Sequence, residues 1–286
     1  MKFAFIREHA GSFPVRLLCE VLDVSPSGFY AWLSRKPSRR AVENEALAAE
    51  IRAIHAGSHG RYGSPRVHAE LRRRGRHIGI RRVERVMRQH GICGIVTPRR
   101  RPRTTDSHHG LPVAPNRLGR NFSAERPNQV WAADLTYIRT AEGWLYLAAI
   151  IDLCTRKIVG WAMRDTLHAE IVRAALAMAV QRQRPAPGLM HHSDRGVQYA
   201  SEIFQADLAA AGIVCSMSRR GDALDNAPAE SFFHTLKTEL VHHRTYASRD
   251  EARRDLFAFI EGFYNPRRLH SALGYKSPAE MEQLSA

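Results

Sequence analysis

Gln129-Val130-Trp131-Ala132-Ala133-Asp134-Leu135-Thr136-Tyr137-Ile138 is a run of mostly aliphatic and aromatic residues with a single acid in its middle. Its composition suits a pleated strand, and the turn-like Thr140-Ala141-Glu142-Gly143 closes it. Two similar runs follow at 144–152 and 157–163, parted by Cys154-Thr155-Arg156, so the spacing predicts an antiparallel meander of three strands. Further on, 168–184 predicts a helix with Ile171, Ala175, Leu176 and Ala179 on one side, 189–193 a strand and 201–211 a helix started by Ser201. Residues 213–217 then predict a fifth strand and 226–241 a last helix. This element order is an α/β fold, a mixed five-stranded sheet flanked by helices. Asp134 lies on its first, central strand. Asp194, ending Leu189-Met190-His191-His192-Ser193, lies at the C-terminal end of the fourth, where such sheets open their ligand crevice.

Glu230 follows the capping sequence Asp225-Asn226-Ala227-Pro228 and falls in the first turn of the last helix. Phe232, Phe233, Leu236 and Leu240 form that helix's apolar stripe, while Glu230, His234 and Lys237, at i, i+4 and i+7, share another face. Three carboxylates on two strands and a helix suit a hard divalent cation. Two such ions roughly 3.5 to 4 Å apart activate an attacking oxygen and stabilise a leaving one. Each acid alone has a plainer reading: an Asp at a strand end caps turns, and a Glu in a first helical turn is favoured by the helix dipole. The case rests on the three together.

The 286-residue chain carries 43 Lys+Arg against 28 Asp+Glu, a net charge of +15. Residues 1–127 hold 25 basic and 10 acidic side chains, and residues 128–286 hold 18 of each. A polyanion is therefore expected against the N-terminal part, with a grip that weakens as salt rises. There, 14–22 reads as a short amphipathic helix, and Ser25-Pro26 starts another with Phe29, Tyr30, Trp32 and Leu33 as its stripe. That is a helix-turn-helix outline, shared by many hairpins that bind no DNA. A second helical unit has helix-like residues at 43–56, a repeat of the cap-and-proline start at Ser64-Pro65, and a third helix over 80–90 stopped by Gly91. On this last helix Val83, Val86 and Met87 face inward, while Arg81, Arg82, Arg85 and Arg88 cluster on a surface suited to a groove or to phosphates. Such faces also occur on ordinary helices. Residues 98–127, with Arg99, Arg100 and Arg101 between two prolines, read as a basic linker that either tracks phosphates or only tethers.

The expected organisation is a helix-turn-helix unit over 1–40, a second helical unit over 41–97, the linker over 98–127, a catalytic core over 128–242 and a C-terminal helical extension over 243–286. The longest apolar run, 144–151, is too short to span a bilayer, which needs about 20 residues. Cys19, Cys93, Cys154 and Cys215 form no C-x-x-C pair, and the histidine doublets have no ligand spacing. A reduced, cytoplasmic protein is expected.

Several stretches then converge. They are His192-Ser193-Asp194-Arg195-Gly196, Ser218-Arg219-Arg220-Gly221-Asp222, Asp225-Asn226-Ala227-Pro228 and Glu230-Ser231-Phe232-Phe233, with 35 residues between Asp194 and Glu230. Near the end comes Tyr264-Asn265-Pro266-Arg267-Arg268-Leu269-His270-Ser271-Ala272-Leu273-Gly274-Tyr275, followed by Ser277-Pro278. Together they closely resemble the OrfB-type DDE transposases of bacterial insertion sequences, which are similar to retroviral integrases, over essentially the whole chain. The resemblance implies a ribonuclease-H-like catalytic domain and magnesium or manganese as cofactor, as two ions. It implies Asp134, Asp194 and Glu230 as catalytic metal ligands and Lys237 as a contact to transposon-end DNA. Water would free a 3′-hydroxyl at the element's end, and that hydroxyl would attack a second phosphate. Double-stranded DNA of ends and target, further copies of the chain, and an upstream OrfA product or OrfAB fusion are the implied partners. A silent end-binding protein and a ribonuclease-H-like nuclease are the alternatives. The chain departs from the retroviral pattern in lacking the N-terminal His/Cys zinc unit, and it has Ala223-Leu224 where a bulkier or Cys-containing pair is expected.

Overall fold

A computed structural model of the chain describes residues 1–96, 112–219 and 222–285. Three short helices open it: α1 (Lys2–His9), α2 (Val15–Val21) and α3 (Pro26–Leu33). At the start of α3 the Ser25 hydroxyl accepts from Gly28 N at 3.0 Å, with Pro26 in the first position. Ile6, Cys19 and Phe29 make a small core that Phe3 and Trp32 help to close. α1 is an addition to the sequence reading. Its only buried residue is Ile6, so it carries almost no periodic signal.

The second unit packs α4 (Arg39–Gly57), α5 (Ser64–Arg73) and α6 (Ile80–Gln89) around Leu47, Ile51, Val67, Leu71, Val83 and Val86. Ser38 caps α4 by accepting from Ala41 N at 3.2 Å. Ser64 does not cap α5: Gly63 holds the cap position and Ser64 is already helical, so the Ser-Pro repeat marks the start without supplying the hydrogen bond.

β1 (Val130–Thr140), β2 (Gly143–Asp152), β3 (Ile158–Arg164), β4 (Met190–Ser193) and β5 (Val214–Met217) form one sheet in the order β3-β2-β1-β4-β5. β1 pairs antiparallel with β2 and β2 with β3, whereas β1–β4 and β4–β5 are parallel. β1 is therefore central and the sheet mixed, as its sequence pattern predicts. α7 (Ala169–Gln183), the short α8 (Val197–Ala200) and α9 (Glu202–Ala210) cover one face with Trp131, Ala133 and Val159. α7 lies against β3 only because residue 160 is glycine: a Cβ there would stand 2.2 Å from Ala175 O and 2.9 Å from Ala179 N. α10 (Ala227–Glu239) and α11 (Arg249–Phe259) cover the other face.

After α11 the helix widens into a π turn over Ile260–Tyr264, then continues into α12 (Asn265–Arg267) and, past a turn, α13 (Pro278–Ser285). Phe263, Tyr264 and Asn265 all come out of the π turn buried. The Asn265 side chain accepts from Ile158 N at 2.9 Å and donates to Ile158 O at 3.0 Å, standing in for a neighbouring strand at the head of β3. The second helical unit, the α10 side of the sheet and the C-terminal extension share one continuous apolar core.

The latter part of the expected linker is no free tether. Leu118 is buried in that core, and Arg117 N and Leu118 N donate to Ser216 Oγ at 3.0 and 3.3 Å. Arg99, Arg100 and Arg101 lie outside the described residues. Among those described, no helix is long and apolar enough to cross a membrane.

Candidate active site

The parallel ladder between β1 and β4 sets the first two acids. Its last rung is Ala133 opposite Ser193; Asp134 is the next residue on β1, and Asp194 the first residue past the end of β4. Neighbouring strands lie about 4.8 Å apart and side chains alternate between faces. Ala132 faces the side that α10 covers, so Asp134, two residues on along β1, projects there too, and the charge of Asp194 acts on it. Leu135 N donates to Asp134 Oδ1 at 2.7 Å, and Gly196 N to Asp194 Oδ1 at 2.9 Å. Gly196 has φ −62° and ψ 144°, a conformation open to any residue, yet a Cβ there would stand 3.0 Å from Asp194 Oδ1. The glycine makes room for the carboxylate.

Glu230 arrives on the first turn of α10, whose start is tied down twice. Asn226 Nδ2 donates to Ala133 O at 2.9 Å, one residue before Asp134. The fully buried Asp225 carboxylate gathers Arg219 N, Nε and Nη2 at 2.8, 2.9 and 2.8 Å, Arg120 Nε at 2.8 Å and Asn116 Nδ2 at 2.9 Å. The Arg219 guanidinium and the other donors outweigh burial and hold this carboxyl well below the usual range. Phe232, Phe233, Leu236 and Leu240 are buried as the stripe predicts, leaving Glu230 at the exposed rim.

The acids and the lysine act on one another. Burial pushes Asp134 well above the usual carboxylate range, and the Asp194 carboxylate adds to it; the Leu135 amide opposes, Glu230 adds and Lys237 opposes. Glu230 is raised by burial and by Asp194. Lys237 is lowered by burial, with Asp134 opposing, and its Nζ stands 5.2 Å from the centre of the Tyr137 ring. An all-oxygen set of mutually repelling carboxylates fits a hard divalent cation, which would relieve the repulsion. Among the described residues, no three Asp, Glu, His or Cys side chains are gathered tightly enough to cage an ion as they stand. Asn226 Oδ1 and the Tyr199 hydroxyl are buried without a hydrogen-bond partner among the described residues. Tyr199 is raised by burial and then by Asp134 and Asp194.

An integrase core domain matches residues 124–223, a second integrase core domain model matches 211–278, and an HTH-like domain matches 42–101. The transposase InsF of insertion sequence IS3A from Escherichia coli (strain K12) is 39% identical over 284 residues, 99% of this chain and 98% of that protein. The chain belongs to the IS3-family insertion-sequence transposases. It is a DDE polynucleotidyl transferase, and its function is DNA transposition. The insertion element IS600 uncharacterized 31 kDa protein of Shigella sonnei is 44% identical over 267 residues, 93% of this chain and 97% of that one. The chain is also similar to a cryo-EM structure of the simian T-cell lymphotropic virus intasome in complex with PP2A regulatory subunit B56 gamma. There the identity is 14%, the coverage 81% of this chain and 74% of that one, and the TM-score 0.48.

In the transposase the histidines beside the acids are structural. His192 pairs with Ser216 Oγ at 2.9 Å and Ser218 Oγ at 3.2 Å, and burial lowers both it and His191, the latter to about 3. Lys237 joins the acids; the arginines of α6 form a separate surface. Arg81, Arg85 and Arg88 are exposed there, whereas Arg82 turns to α4 and donates to Asn44 Oδ1 at 2.9 Å and Glu43 Oε2 at 3.2 Å. A cavity of about 600 Å³ lined by Trp161, Met163, Met178 and Phe257 holds none of the acids. Sequence reasoning left Gly196, Tyr199, Asp225 and Asn226 without their parts in the site. The strand that carries Asp134 and the strand end before Asp194 are readable, but Tyr199 and Asp225 acquire their surroundings only through distant residues.

Proposed function

We propose that Asp134, Asp194 and Glu230 are the catalytic acids of the transposase and hold two divalent ions, magnesium or manganese. The observation that supports this is the Ala133–Ser193 rung, followed at once by Asp134 on β1 and by Asp194 after β4, together with the charge that Asp194 and Glu230 exert on Asp134. Bound there, the ions would neutralise phosphate charge and activate the attacking oxygen. The chain's own part is positioning. The amides of Leu135 and Gly196 aim the two aspartates, Asn226 fixes the start of α10 to β1, and Asp225 holds the approach to it. Lys237 presents its charge beside the acids to a phosphate of the transposon end. In the reaction so arranged, water cleaves the phosphodiester at the element's end, and the freed 3′-hydroxyl attacks the target strand in line.

Double-stranded DNA of ends and target is the substrate, with Arg81, Arg85 and Arg88, and along the chain Arg99, Arg100 and Arg101, neutralising backbone phosphates. Arg82 serves the same surface by fixing α6 to α4. Two ends must be held at once, so a second copy of the chain belongs to the working assembly, and an upstream OrfA product is its further partner. Strand transfer on the element's own end sequences with magnesium tests this reading. Asp194→Asn is expected to keep DNA binding and lose joining; unchanged joining would overturn the assignment of the acids.

A further inference from the structure

We propose that Tyr62, Arg66 and Glu239 are positioning residues, forming a joint that fixes the second helical unit to the catalytic helix and so selects which phosphodiester reaches the acids. The inference rests on the reading that this unit holds end DNA.

Glu239 is the last residue of α10 and is buried. Its carboxylate takes Arg268 Nη2 at 2.6 Å and Arg268 Nε at 3.0 Å from the C-terminal extension, and Arg66 Nη1 at 3.3 Å from α5. Arg61 Nε donates to Glu239 O at 3.2 Å, and its guanidinium lies 4.4 Å from the centre of the Phe263 ring. Arg66 Nε reaches Leu269 O at 3.0 Å. Tyr62, 5% exposed, donates its hydroxyl to Arg267 O at 3.1 Å and accepts from Leu269 N at 3.0 Å. At the far end of α5, Arg73 pairs with Glu280 of α13. The C-terminal Tyr264 to His270 stretch, a family motif without an assigned role above, is thus the seat on which the second unit rests.

α10 carries Glu230 and Lys237 on its site face and Glu239 at its end, with about 14 Å along the axis between the two glutamates at 1.5 Å per residue. A straight helix of that length transmits the position of one end to the other. Successive phosphates on a DNA strand are about 3.4 Å apart along the duplex axis. A slip of that size between the unit and the helix moves the cut by one nucleotide. A joint of partly buried hydrogen bonds, two of them from one guanidinium, has discrete geometry where a tether has none.

The full chain carrying Tyr62→Phe and Arg66→Met is compared with the parent on a labelled duplex bearing the element's own end, with magnesium. Hydrogen exchange over residues 259–269 reports the joint, a gel shift reports end binding, and a sequencing gel reports the position of the cut. Exchange is expected to rise, and end binding to stay near the parent's. Cleavage at the parental phosphate should fall on the order of tenfold or more, with new cuts a nucleotide or more away. Raised exchange with the cut unmoved in place and rate would overturn the proposal, and so would unchanged exchange. Tyr62→Phe alone removes one hydroxyl and keeps the ring, so it guards against misfolding of the double variant. It should give a smaller rise in exchange and a measurable share of displaced cuts, and silence on both counts overturns the proposal as well. Failure of the parent itself to bind the end duplex would instead bring down the DNA-holding reading on which the joint depends.

Discussion

Gly196→Ala separates the room the site needs from the backbone the fold needs. The backbone at residue 196 suits alanine, so the change introduces no torsional strain there. The added methyl carbon would stand 3.0 Å from Asp194 Oδ1 and 3.2 Å from Gln198 Oε1, so the neighbours must give by a few tenths of an ångström. The Asp194 carboxylate yields most readily by rotating, which draws Oδ1 off Gly196 N, now bonded at 2.9 Å. A hydrogen bond to a charged acceptor contributes about 1.5 to 3 kcal/mol. If that contribution is felt while the phosphate is being attacked, the chemical step slows roughly 10- to 100-fold. Folding stability should fall by no more than that same hydrogen bond, about 1.5 to 3 kcal/mol, since no core contact is lost. Single-turnover cleavage of a labelled end duplex at saturating DNA and magnesium, beside a urea unfolding curve, reads both. A variant that cleaves within about twofold of the parent refutes the reasoning, and so does one whose loss of activity is matched by loss of the folded state.

Two further outcomes follow from the same site. Asp134 and Glu230 both titrate above the usual carboxylate range when folded. These two groups therefore bind more protons in the folded, metal-free protein than in the unfolded chain, so their own contribution to stability is fully present below about pH 4 and is lost as pH rises through the raised folded values. The buried histidines add stability as pH rises, so the difference is what reports the acids. The urea midpoint of Asp134→Asn, or of the parent in magnesium, should rise relative to that of the metal-free parent as pH increases through this window, and a constant difference would refute it. Lys237→Ala should weaken end binding and lower the salt slope of the binding constant by about one, as measured by titration at several salt concentrations; an unchanged slope would remove Lys237 from the DNA.

The sheet is legible because its first three strands are long runs rich in aliphatic and aromatic residues parted by turns, and because Asp134 sits within one strand and Asp194 directly after another. Glu230 could be placed from its helix start alone. What escaped reading depends on partners far along the chain. Asp225 resembles a capping residue until Arg120 and Asn116, more than a hundred positions away, are brought to it. Ser64-Pro65 has the composition of a capped start, but a glycine one residue earlier takes the cap position. Arg82 shares the spacing of its exposed neighbours and differs only because Glu43 and Asn44 on α4 face it. Tyr62 and Arg66 carry no periodic signal for the C-terminal motif they meet, since local pattern is silent on docking between units.

The Asn265 amide that pairs with Ile158 also bears on how the chain is made. β3 is an outer strand of the sheet, and the groups closing its first residue belong to a side chain more than a hundred positions downstream. While the polypeptide emerges from the ribosome, that outer strand exists well before the side chain that closes its first residue. A nascent or prematurely terminated product would offer an open strand to any other chain nearby. Translation that stops short of Asn265 should therefore give a protein lost to aggregation.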